Sequence, residues 1–107
     1  MFTKDETQPK KNLLAGIDMT PLAWGDQTML VRFDLQKGSQ IPEHEHIYEQ
    51  TGFLVTGRMR LTIGDQTYDA AGGDSWSIPA HTVHNAEALD DCMAIEVFSP
   101  PRKDYMP

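Results

Sequence analysis

Apolar residues recur at every second position along most of this chain, and turn residues break the pattern at short intervals. Met29, Val31, Phe33 and Leu35 alternate with Thr28, Arg32 and Asp34, and Met59, Leu61 and Ile63 alternate with Arg58, Arg60 and Thr62. A period of two is the signature of a strand, whose successive side chains point to opposite faces so that one face is buried and the other wet. Gly25-Asp26, Lys37-Gly38-Ser39, Gly57, Gly64-Asp65 and Gly72-Gly73-Asp74 punctuate the strands. Gly64-Asp65, between Leu61-Thr62-Ile63 and Gln66-Thr67-Tyr68, reads as a two-residue hairpin loop in which glycine supplies positive φ. No extended window carries the apolar stripe of a helix. Thr51 to Arg60 comes nearest, but Gly52, Gly57 and the β-branched Thr51, Val55 and Thr56 indicate strand. Many short strands predict an all-β barrel or sandwich.

A chain of 107 residues holds one core. Residues 1–12 are mostly polar, five of them charged, and read as an arm, with residues 13–107 as the barrel. Pro100-Pro101 cannot extend a sheet ladder, so an extended tail is expected to leave the barrel from about Ser99. The formal charge of −7 argues against a nucleic-acid or anionic-membrane surface. A single cysteine, Cys92, removes an intramolecular disulfide and a multi-Cys zinc site from consideration. The start of the chain has no apolar core of a secretory signal, and no stretch is long and apolar enough to span a bilayer. A cytoplasmic protein is the expectation.

The chemistry-bearing residues are four histidines: His44, His46, His81 and His84. His44-x-His46 on a strand would place two imidazoles on one face, within reach of one metal ion. On their own, such residues are also compatible with two solvated side chains. Their surroundings are more specific: Gly38-x5-His44-x-His46-x3-Gln50-x6-Gly57, then Gly73-x5-Pro79-x-His81-x2-His84. These paired motifs resemble the cupin superfamily over roughly residues 28–98. The resemblance implies a single-domain jelly-roll barrel in which His44, His46, Gln50 and His84 bind one divalent metal ion.

The chain departs from the cupin pattern at three places. Gln50 stands at the usual Glu, His81 at a Gly and Ala88 at an Asn. A left-handed backbone is expected at His81, which makes it a loop residue rather than a ligand. Glu43, Glu45 and Glu49 fall on the opposite parity from His44, His46 and Gln50 and read as solvated. A bend at Ile47-Tyr48-Glu49 would keep Glu49 as an outside candidate. Replacing Glu by Gln leaves the metal's double charge uncompensated, which favours Lewis-acid chemistry over oxygen activation. Mixed imidazole and amide-oxygen ligands suit Zn, Ni, Mn or Fe.

The strand Cys92–Phe98 is apolar on both faces except at Glu96. A carboxylate in mid-strand is costly to bury unless paired or used. Glu96 is therefore either a solvated edge charge or a general acid/base beside the metal. The run Glu96-Val97-Phe98-Ser99-Pro100-Pro101-Arg102-Lys103-Asp104 resembles the ending of small KdgF-like cupins of pectin degradation, where Asp is usual at the position of Glu96. That resemblance implies linearisation of 4,5-unsaturated uronate monosaccharides to the 4-deoxy-5-keto-uronate. It gives Glu96 and Arg102 catalytic roles, with Phe98 and Arg102 contacting substrate. Arg102 read alone is equally a surface tail charge. Two other functions fit a cupin: a sensing module without catalysis, and an iron or manganese oxygenase. The apolar odd face of the last strand, Met93, Ile95 and Val97, suits a homodimer, as the resemblance also implies.

Overall fold

The computed structural model describes all 107 residues and consists of ten strands and one short 3-10 turn. In chain order the strands are β1 (Lys11–Leu14), β2 (Ile17–Trp24), β3 (Met29–Leu35), β4 (Gln40–His44), β5 (Glu49–Thr56), β6 (Arg58–Ile63), β7 (Gln66–Ala71), β8 (Ser75–Ile78), β9 (His84–Ala88) and β10 (Cys92–Ser99). They form a six-stranded sheet ordered β1-β2-β3-β10-β5-β8 and a four-stranded sheet ordered β4-β9-β6-β7. Every recorded pairing is antiparallel. This is the two-sheet, all-β architecture expected of a jelly roll.

The alternation seen in the sequence is the alternation in space. Met29, Val31, Phe33 and Leu35 of β3 are buried, as are Met59 and Leu61 of β6. With Ile17, Met19, Leu54, Ala94 and Phe98 they fill the space between the sheets. Gly64-Asp65 closes the β6–β7 hairpin, with Ile63 opposite Gln66 and Gly64 at φ 62°. The Thr51–Arg60 window is two strands joined at Gly57, which has φ +98°. A β-carbon at Gly57 would lie 2.3 Å from the Asp91 carbonyl oxygen, so space and backbone both demand glycine there. No helix is long and apolar enough to cross a membrane.

The ends of the chain differ from the sequence reading. Strand β1 begins at Lys11, inside the segment read as an arm, and pairs with β2. The ladder does stop at Ser99 before the two prolines, but the tail does not leave the barrel. It folds back as the turn Lys103–Tyr105, and the Tyr105 ring is buried edge-on against Phe33 and Phe98. The prolines end the ladder, and burial of one aromatic ring outweighs the freedom of so short a tail. The Lys11 ammonium meets the Met106 carbonyl and ties the two termini together.

Candidate metal centre and its cavity

The site lies where the chain crosses between sheets. β4 ends at His44, Glu45–Tyr48 form a bend, and β5 starts in the other sheet at Glu49. His46 sits in that bend, and its carbonyl accepts the backbone N–H of His81 at 2.8 Å. His81 itself is exposed at φ 62°, a loop residue in the left-handed region as its motif position required. His84 opens β9 directly opposite His44. His44, His46 and His84 each offer a ring nitrogen, and these lie within 4.8 Å of one another. Glu43, Glu45 and Glu49 are exposed and take no part in the cluster.

The hydrogen bonds fix the tautomers. Each Nδ1 faces a backbone carbonyl: His44 that of Pro42 at 2.8 Å, His46 that of Tyr48 at 3.0 Å, His84 that of Thr82 at 2.8 Å. A carbonyl only accepts, so the proton belongs on Nδ1 and Nε2 keeps its lone pair. The His84 Nε2 is buried without any partner. The His46 Nε2 lies 2.9 Å from Gln50 Oε1, while the Gln50 amide nitrogen donates to Glu96 Oε1 at 2.9 Å. Two acceptors thus face each other with no proton between them. Burial, and secondarily the positive charge of Arg102, hold the His46 pKa below its ordinary value, which opposes placing a proton there. Burial lowers His84 as well. Bare acceptors converging on one point fit a cation, and the four residues fit a divalent metal by donor type as well.

Glu96 stands beside them at the cavity wall. Its Oε1 accepts the Gln50 amide and, at 2.8 Å, the Trp76 indole N–H. Its Oε2 accepts no hydrogen bond, and the residue lines the cavity. Burial pushes the Glu96 pKa up to about 7, against the pull of the two donors and of Arg102. Both protonation states are therefore accessible near neutrality. The solvated-edge reading of Glu96 does not hold, because β10 is central in its sheet.

Arg102 comes to the same cavity because the tail turns back. Its guanidinium carbon lies 3.8 Å from the Tyr105 ring centroid, 4.9 Å from Tyr48 and 5.1 Å from Phe98. Its Nε and one terminal nitrogen donate to the Asp104 carboxylate at 3.3 and 2.9 Å. That pairing lowers the Asp104 pKa. The other terminal nitrogen of Arg102 donates no hydrogen bond to the rest of the chain. Phe98 is fully buried between His46, Phe33 and Tyr105 and forms the floor of the cavity. Trp76, Tyr48, Asp104 and Tyr105 were not singled out in the sequence. Only Trp76 carried a signal, as a lone aromatic alternating with serines on β8.

Comparison with known proteins agrees with this geometry. Residues 31–98 match the family model of the cupin domain. The chain is a cupin. It is 28% identical over 98% of its length, and 96% of the relative's, to the pectin degradation protein KdgF of Dickeya dadantii. The solved structure of KdgF from Halomonas sp. superposes with a TM-score of 0.92 at 27% identity, covering 99% of this cupin and 98% of that chain. An RmlC-like cupin from Shewanella frigidimarina gives a TM-score of 0.93 at 25% identity, covering 98% and 95% of the two chains.

Proposed function

We propose that this cupin is a metal-dependent isomerase that opens 4,5-unsaturated uronate monosaccharides to the linear 4-deoxy-5-keto-uronate. The observation that carries the reading is the Glu96 carboxylate, its Oε2 free of hydrogen bonds, lining the same cavity as His44, His84, Gln50 and Arg102 beside the three-histidine cluster. Its similarity over nearly full length to a pectin degradation protein supports the substrate class. A sensing module would have no use for an acid held in this way, which favours catalysis.

His44, His46, Gln50 and His84 would hold the ion, which when bound supplies Lewis-acid polarisation of substrate oxygens. The end-on edge of Arg102 takes the substrate carboxylate through two parallel hydrogen bonds. Asp104 and the three aromatic rings keep the guanidinium from turning away. Glu96 Oε2 takes the proton from the O1 hydroxyl. The C1–O5 bond breaks as the C1 carbonyl forms, and the C5 oxygen is left as an enolate. The same carboxyl returns the proton to C4, giving the ketone. One proton is moved and no electrons are exchanged with a second reactant. Phe98 and the core behind it keep one side of the cavity dry.

The reading includes a cytoplasmic homodimer. Phe53 and Val55 of β5 stand exposed on the outer face beside Ile95, a patch suited to a second copy. The functional test is spectrophotometric. Protein with one equivalent of metal should abolish the ultraviolet absorbance of the conjugated enol acid, and His84→Ala should lose both metal and activity. Full activity in metal-free protein would overturn the proposal.

A further inference from the structure

Three adjacent strands place Trp76, Gly52 and Glu96 in one row. Gly52 of β5 pairs with Trp76 of β8 on one side and with Glu96 of β10 on the other. Side chains two strands apart are separated by roughly twice the 4.8 Å strand spacing and do not ordinarily touch. Here they do, because the residue between them has no side chain. A β-carbon at Gly52 would sit 2.3 Å from the Trp76 Nε1 and Cε2 and 2.5 Å from Glu96 Oε1. The indole therefore crosses directly over Gly52 to reach the carboxylate. Gly52 lies outside the left-handed region, so its backbone would accept any residue and only the space requires glycine.

We infer that Trp76 is a positioning residue: its indole N–H, passing over Gly52, holds Glu96 Oε1 and so presents Oε2 to the cavity. The inference rests on the reading above that Glu96 moves the proton. Two donors from different strands converging on one carboxylate oxygen fix its rotation and so aim the other oxygen. The second donor, Gln50, shares Oε1, so it cannot by itself fix the rotation of the carboxylate. Removing Trp76 would leave Glu96 pivoting on one contact. Proximity terms of this kind act on the chemical step rather than on binding.

The test uses two readouts. The chain has two tryptophans, Trp24 and Trp76, so an 15N–1H spectrum holds two indole signals, assigned by Trp24→Phe and Trp76→Phe. Glu96→Gln is expected to move the Trp76 indole proton upfield and leave that of Trp24 in place. In turnover, Trp76→Phe keeps the ring but not the N–H. Its kcat is expected to fall about tenfold to a hundredfold, the worth of one hydrogen bond to a charged group, with KM and metal content unchanged. Gly52→Ala, which keeps the indole but fills the slot, gives the same loss. Added to Glu96→Gln, Trp76→Phe costs nothing further, because a residue acting through Glu96 has nothing left to position. An unmoved indole signal, parental kcat in Trp76→Phe, or full additivity in the double variant would each overturn the inference. If the parent turns over no unsaturated uronate, the functional reading fails. The indole response then decides the Trp76–Glu96 contact alone.

Discussion

Glu96→Gln isolates the proton-transfer role of Glu96. In the parent, Oε1 accepts two N–H donors, from Trp76 at 2.8 Å and Gln50 at 2.9 Å, and Oε2 accepts none. A glutamine fits this environment in one orientation. Its amide oxygen takes the place of Oε1, and its NH2 takes that of Oε2, since the reverse would set donors against donors. Both anchoring bonds survive, the volume is unchanged and no metal-facing group is touched. Folding and metal content are expected to stay at parental levels. What is lost is the oxygen that takes and returns the proton. A positioned acid/base contributes about 10²–10⁴-fold, equivalent to about 3–5 kcal/mol of transition-state stabilisation at 1.36 kcal/mol per factor of ten. Initial rates at saturating unsaturated uronate, with metal quantified on the same sample, measure it. A variant with parental metal content and a rate within threefold of the parent would refute the assignment of Glu96 as acid/base.

Arg102→Ala should raise KM by about tenfold to a hundredfold with a smaller change in kcat, because a paired charge contact holds the carboxylate in ground and transition states alike; steady-state kinetics separate the two. Gln50→Glu should bind metal as tightly or more tightly by titration, yet turn over more slowly. The new carboxylate neutralises part of the ion's charge and replaces the N–H that Glu96 accepts with a like charge. Tyr105→Ala should cost about 3–5 kcal/mol in urea unfolding, as for other buried aromatic rings, and should raise KM by freeing Arg102. A loss below about 1 kcal/mol, the scale of ordinary surface changes, would mean that the tail does not pack.

The strands were legible because a period of two, cut by glycines at fixed φ, leaves few alternatives. The β3 alternation and the Gly64-Asp65 hairpin were readable residue by residue. His44, His46 and His84 were legible from spacing, since motif distances survive even where the strand does not. His46 lies in a bend, yet its ring joins the other two. The tail was misread because proline reports only where a ladder must end, not where the chain goes next. Tyr105, and through it the placement of Arg102, depends on contacts with Phe33 and Phe98 from distant strands. Trp76 escaped for a similar reason. Its reach to Glu96 depends on the register of three strands and on a side chain that is missing at Gly52.

Proton NMR of the reaction in D2O tests the central claim most directly. Metal-loaded protein should convert the unsaturated uronate to a linear product that has lost its C4 vinyl signal and carries solvent deuterium at C4. Protein stripped of metal should leave only the uncatalysed rate, and restoring one equivalent of metal per chain should restore the conversion. Fully metal-loaded, folded protein that leaves the C4 vinyl signal unchanged beyond that background would contradict the account.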